Sequence, residues 1–257
     1  MPVRILLNRI IGKYRRTVSS RAYRRMVEIK LSQPIISFTF DDAPQSAFSI
    51  GGNILKTYGA RGTYFVSLGM LGKNSPAGKI ASQDDLFHAI EEGHELGCHT
   101  FDHNAPWETP TPLFLESIFK NRQALEKILP RTSFSSFAYP FARPRPATKQ
   151  RVGMLFNCCR AGGQIFNAGK ADLNLLKAFF LDLRNGESID KMKQVIDKNG
   201  EKLGWLIFAT HDVTDNPSRY GCRKDIFETL VAYAAASNAL ILPVVHAYER
   251  LKTATTE

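Results

Sequence analysis

Short β-type runs alternate with longer helical patterns along most of this 257-residue chain, and that alternation constrains the fold more than any other feature. The β-type runs are 35–40, 63–66, 96–99, 137–139, 177–181, 206–210 and 240–244. The helical patterns between them are 50–58, 82–92, 112–129, 147–156, 188–198 and 223–237. Strand then helix, repeated over this length, predicts a parallel sheet with crossover helices. No Gly-rich phosphate loop interrupts the series, which favours a barrel over a dinucleotide-binding sheet. The expectation is an α/β chain folded as a distorted (β/α) barrel over residues 31–257, preceded by a separate basic segment at 1–30.

Reactive side chains cluster where these runs end. Asp41 and Asp42 close the first run, His99 ends the third, Tyr139-Pro140 end the fourth, and His211-Asp212 follow the run that finishes at Thr210. Barrel active sites are built at the carboxyl ends of strands, so the placement is that of one shared site. Adjacent aspartates on a strand end point to different faces, which allows two roles. His99 and His103 stand four apart, and that spacing puts both on one face of a helix in a metal-chelating arrangement. The set reads as an Asp-His-His metal site with a general base beside it. The competing readings are a turn or helix-cap pair for the aspartates and a solvated surface pair for the histidines. Asp102, inside the histidine pair, is expected to point away from the metal or to orient one of its ligands. His88, His94 and His246 read as structural or surface residues.

Five segments in order carry a resemblance to a known family. Thr39-Phe40-Asp41-Asp42-Ala43-Pro44 resembles the T-F-D-D-G-P motif of the polysaccharide deacetylases (the NodB-homology carbohydrate esterases). Gly62-Thr63-Tyr64-Phe65-Val66 is similar to their second strand, and His99-Thr100-Phe101-Asp102-His103 matches their H-[ST]-x-x-H motif. Phe137-Ala138-Tyr139-Pro140-Phe141-Ala142 is similar to F-A-Y-P-Y-G, and Ile207-Phe208-Ala209-Thr210-His211-Asp212 resembles the final strand ending in His-Asp. The resemblance implies a NodB-type barrel that removes acetyl groups from N-acetylhexosamine units of a saccharide. It implies one divalent ion, Zn2+ first with Co2+ or Ni2+ as alternatives, held by Asp42, His99 and His103. It also implies Asp41 as general base, His211 as general acid, and the Phe141 backbone N–H as an oxyanion donor.

Three departures from the family pattern bear on the groups around that site. Ala43 and Ala142 stand where the family has glycine, and Ala138 stands where it often has the arginine that steadies the base. Arg143 and Arg145 are the expected replacements, or they bind an acidic group on the substrate. Tyr139 is a further neighbour of the site. Asp182 is the nearest candidate for the aspartate that usually supports the arginine. Two rival functions follow: hydrolysis of a non-sugar amide or cyclic ureide on the same scaffold, and saccharide binding without turnover.

Charge is unevenly placed. Of the net +10, residues 1–30 hold nine basic residues against Glu28 alone, leaving the remainder at +2. Val3, Leu6, Leu7, Ile10, Ile11 and Tyr14 recur at helical spacing among the arginines. That pattern suits either a helix packed on the barrel or one lying on an anionic membrane, and a membrane helix would favour a lipid-linked substrate. No motif supports nucleic-acid binding. No apolar run approaches the roughly 20 residues of a membrane span or the roughly 7–15 of a secretory signal. Cys98, Cys158, Cys159 and Cys222 lack C-x-x-C spacing and read as buried free thiols. Both observations point to a location in the cytoplasm, free or at the membrane periphery, as the expectation.

Overall fold

The structure, a computed structural model, describes residues 2–186 and 188–253. Helix α1 (Pro2–Arg21) and strand β1 (Met26–Ile29) precede the central strand β2 (Ile35–Asp41). A π-helical turn at Ala47–Gly52 leads into α2 (Asn53–Thr57), followed by β3 (Thr63–Val66), the hairpin of β4 (Asn74–Ser75) and β5 (Gly78–Lys79), α3 (Gln83–Glu91) and β6 (Glu95–Cys98). Next come α4 (Thr111–Ile128), β7 (Ser136–Ala138), α5 (Pro146–Gly153), β8 (Cys158–Arg160), β9 (Gly169–Asp172), β10 (Phe179–Phe180) and α6 (Ile189–Glu201). The chain continues through β11 (Trp205–Thr210), β12 (Val213–Thr214), β13 (Cys222–Arg223), α7 (Lys224–Ala236), β14 (Leu240–Ile241) and α8 (Val244–Thr253).

The main sheet runs β10-β11-β2-β3-β6-β7-β8, all parallel, and β14 pairs with the first residues of β2. The sheet curls until its edges meet. Residues 173–178 run beside β8, with Leu176 N–H donating to Cys159 O and Ala161 N–H to Leu176 O at 2.8 Å each, and then enter β10. This is the expected α/β architecture, a distorted barrel of parallel strands with outer helices. Strand β8 is absent from the sequence reading. The run at 177–181 shortens to Phe179–Phe180, and the last run stops at Ile241 because Pro243 removes a ladder donor and starts α8 instead.

β2 is buried along its whole length, so its alternation sorts side chains between two apolar environments. Ile36, Phe38 and Phe40 pack under the helices, Phe38 against Phe208 and Phe227. Ile35 joins Phe65, Ala138, Cys158 and Ile207 inside the barrel. Ser37, Thr39 and Asp41 share its parity, so the strand aims Asp41 into the barrel mouth.

The amino-terminal segment is stitched to the body. β1 pairs antiparallel with β9. Lys149, with its side chain fully buried, donates to the carbonyls of Ser19 and Ala22 at 2.8 Å and to Asp172 at 2.6 Å. Ser19 donates to Pro144 O, and Arg15 pairs with Glu108 across the ring of Trp107. The packed stripe of α1 is therefore Gly12, Arg15, Val18 and Ser19, while Ile10, Ile11 and Tyr14 stay exposed. The side chains of Val3, Leu6 and Leu7 lie outside the described part. Among the described residues, no helix is long and apolar enough to cross a membrane.

Candidate active site

The carboxyl ends of the strands surround a cleft of about 620 Å³, lined by Asp41, Asp42, His99, His103 and His211 among others. All five residues come together from three separate stretches of sequence. Such a volume suits a small-molecule or sugar-sized ligand.

Asp41 is the last residue of β2, and the chain then turns through positive φ at Asp42 (59°) and Ala43 (52°). The turn keeps the left-handed backbone for which the family uses glycine. An L-residue there costs about 1–2 kcal/mol. Burying the alanine methyl returns about 0.8 kcal/mol, so the exchange is tolerated.

The His-x-x-x-His segment is a loop rather than a helix, which corrects the geometry expected from its spacing. Positive φ at Thr100 (64°) and His103 (52°) brings the two rings together, with centroids 5.0 Å apart. Neighbouring groups hold the loop. Ser117 Oγ accepts from the N–H groups of Phe101 and Asp102 and donates to the Asp102 carboxylate at 2.8 Å. Asp102 thus turns away from the histidines toward α4, where Lys120 lies 3.7 Å away. Gly69 lies so close to Phe101 that a β-carbon would sit 2.5 Å from its carbonyl oxygen.

Ligand atoms of Asp42, His99 and His103 all lie within 4.8 Å of one another. Asp42 Oδ1 is 3.1 Å from His103 Nε2 and 3.7 Å from His99 Nε2. The Nδ1 of His99 is 2.8 Å from the carbonyl of Ala138, which makes Nδ1 the protonated nitrogen and leaves the Nε2 lone pair aimed at Asp42. Burial pushes the pKa of His99 down to about 4, so the ring is neutral and able to ligate. Asp42 Oδ1 is buried with no hydrogen-bond partner among the described residues. A buried carboxylate oxygen without a donor is costly, and a cation completes it. The three side chains therefore fit a divalent ion.

Asp41 has a different environment. Its Oδ1 accepts from Arg160 Nη2, and the guanidinium is itself buried between the rings of Phe65 and Phe180, at 5.1 and 5.5 Å. Burial alone would raise the Asp41 pKa. The Arg160 charge and its hydrogen bond outweigh it and hold the carboxyl below the usual range. The replacements expected for the missing arginine were Arg143 and Arg145, and neither reaches Asp41. Arg145 donates to Trp107 O, while Arg143 extends to Arg15 and Arg16 of α1, where burial and those two cations lower its pKa. Register explains the correction: Ala138 on β7 and Arg160 on β8 are direct cross-strand partners. The guanidinium has moved one strand over. Its sequence signal was an arginine closing the apolar pair Cys158-Cys159.

The remaining expected residues are distributed around the rim. Tyr139 is buried against Phe137, and its backbone N–H donates to Arg160 O at 3.0 Å. Phe141 lies at φ 56° with its side chain exposed and its ring centroid 5.0 Å from that of His103. Asp182 does not support Arg160. It accepts from Arg184 Nε (3.1 Å), Asn185 N (3.0 Å) and Asn185 Nδ2 (2.9 Å), and so shapes a rim loop. His211 Nδ1 is 3.2 Å from Tyr220 O, which directs Nε2 toward Asp42 Oδ2 at 3.9 Å. The four cysteines are buried.

A family model described as polysaccharide deacetylase matches residues 28–154. That match, over just under half of the chain, bears out the resemblance carried by the five segments. The matched span carries Asp41, Asp42, His99 and His103 and stops short of Arg160 and His211. Solved structures similar in fold include peptidoglycan deacetylase PdaC from Bacillus subtilis (15% identity, 88% of this chain and 94% of that one, TM-score 0.57). A family 4 acetyl xylan esterase from Clostridium thermocellum, in complex with a cobalt ion, gives 15% identity over 84% and 90% with TM-score 0.60. A putative polysaccharide deacetylase from Mycobacterium smegmatis gives 14% identity over 89% and 96% with TM-score 0.61. Among curated proteins, a gellan lyase from Bacillus sp is 27% identical over 199 residues, 70% of this chain. This chain spans only 8% of that protein's length.

Proposed function

We propose that this polysaccharide deacetylase is metal-dependent and hydrolyses the acetamido group of N-acetylhexosamine units in an oligo- or polysaccharide. The observation that carries the reading is the unpartnered Asp42 Oδ1 facing two imidazole nitrogens, with Asp41 beside it on an independent guanidinium anchor. A divalent ion such as Zn2+ held by Asp42, His99 and His103 would polarise the acetyl carbonyl and acidify water. Asp41, kept ionised by Arg160, takes a proton from the attacking water as the C–O bond forms. His211 delivers a proton from Nε2 to the sugar nitrogen as the C–N bond breaks, leaving acetate and an amine. The Phe141 N–H donates to the carbonyl oxygen as it gains charge; one such donor is worth about 3 kcal/mol.

Acetate release from N-acetylglucosamine oligomers, set against a panel of non-sugar amides and cyclic ureides, tests the reading. Turnover of the oligomers that drops at least 100-fold in Asp41→Asn supports it. Preference for an amide or ureide would replace the substrate. Saccharide binding with no turnover of any compound would make the chain a binding protein.

The exposed Ile10, Ile11 and Tyr14 of α1, set among cations, favour one addition: peripheral contact with an anionic membrane and a lipid-linked saccharide as substrate. Co-sedimentation with anionic liposomes that is lost in Ile10→Ser/Tyr14→Ser supports this addition. Equal sedimentation of the two chains would remove it.

A further inference from the structure

The rim of the cleft beside His211 holds a guanidinium that the reaction above does not use. Arg184 lines the cleft and is fixed from two sides. Its Nε and Nη2 both donate to one oxygen of Asp182, whose side chain is fully buried, and its plane lies over the Tyr220 ring, 4.6 Å from the centroid. The other Asp182 oxygen is taken by the backbone and side chain of Asn185. Arg184 Nη1 makes no hydrogen bond among the described residues, and the side chain is 38% exposed. An arginine with its near edge locked loses little freedom when its far edge binds a ligand.

Charge at this end of the cleft is unbalanced. Arg219 stacks on the same Tyr220 ring at 5.4 Å, so two guanidinium groups flank one aromatic ring, and Asp182 bonds to Arg184 of the two. The Tyr220 ring lies 5.5 Å from that of His211, whose Nδ1 it anchors through its carbonyl. His211 stands on the side of the leaving amine, so a group next to Tyr220 meets the sugar rather than the acetyl moiety.

The geometry points to Arg184, backed by Tyr220 and Arg219, as a subsite for a carboxylate carried by the saccharide, within one sugar of the acetamide. The enzyme is then selective for acidic N-acetylated glycans, such as those with uronic acid residues, over neutral ones. This rests on the deacetylase reading. Guanidinium and carboxylate match as planar, charge-assisted partners, and Asp182 and the aromatic stack supply the preorganisation.

Oligosaccharides of alternating N-acetylglucosamine and glucuronic acid, and the same oligomers with every carboxyl reduced to the alcohol, test it on the unmodified enzyme. The expected result is a KM about tenfold lower for the acidic oligomer, with similar kcat, and loss of that difference in Arg184→Gln. Arg184→Lys is expected to keep part of it, which separates lost charge from a disturbed loop. Equal KM values for both oligomers, or an undiminished difference in Arg184→Gln, would overturn the subsite. So would acetate release from neutral oligomers alone. Calorimetric binding of the acidic oligomer separates the two readings. Binding that weakens in Arg184→Gln without turnover of any saccharide keeps the subsite and sinks the deacetylase assignment.

Discussion

Replacing Arg160 with glutamine removes the cation bonded to Asp41 and leaves a buried carboxyl whose pKa then rises. The acid limb of the kcat/KM profile should move to higher pH, and activity at neutral pH should fall at least tenfold. Because Ala138 and Arg160 are register partners, Ala138→Arg placed on Arg160→Ala should recover part of that loss. A profile unchanged in Arg160→Gln would mean that Asp41 needs no anchor. His94 offers a separate test through stability. Burial, with the nearby Arg61 charge, lowers its pKa to about 4, and Nδ1 accepts from Gly62 N–H at 2.9 Å. The unfolded chain takes up that proton near pH 6.5 and the folded chain only near 4, so stability is full above 6.5 and declines as pH falls between them. Urea unfolding at pH 7 and pH 5 should show His94→Gln losing less stability than the parent, by up to about 1.4 kcal/mol per pH unit. At this scale the two aspartates and three histidines were legible because each ends or follows a recognisable run. Arg160 was not, because a three-residue strand has no periodicity to detect.

The same contrast holds for elements. Long strands in the middle of the sheet, β2 and β11, showed themselves as continuous apolar runs because they are buried on both faces. The histidine pair misled, since spacing of four fits a helix and fits equally a loop with two left-handed residues. What shapes that loop is Ser117 on α4 and Gly69 after β3, which no local pattern links to it. α1 was readable as a helix, but its attachment depends on Lys149, 130 residues from Ser19. Lys149→Met should lower unfolding free energy by about 3–5 kcal/mol in urea titration, because it strands Asp172 and the last carbonyls of α1. Ile10→Ser should change it by less than about 0.5 kcal/mol. A loss under 1 kcal/mol in Lys149→Met would show that the clasp contributes little.

For the whole molecule, alternation of strand and helix was enough to indicate a parallel barrel with its chemistry at the carboxyl ends. The closure of the curled sheet through residues 173–178 was hidden, since backbone bonds from irregular chain leave no side-chain pattern. The proposed hydrolysis requires that Asp42, His99 and His103 form one cation site. It is tested most directly by measuring acetate release from N-acetylglucosamine oligomers while chelator-stripped protein is titrated with Zn2+. The stripped protein should show no turnover, recovery should break at one equivalent, and His99→Ala should show no recovery at that concentration. Full turnover in the presence of chelator, or equal recovery by His99→Ala, would contradict it.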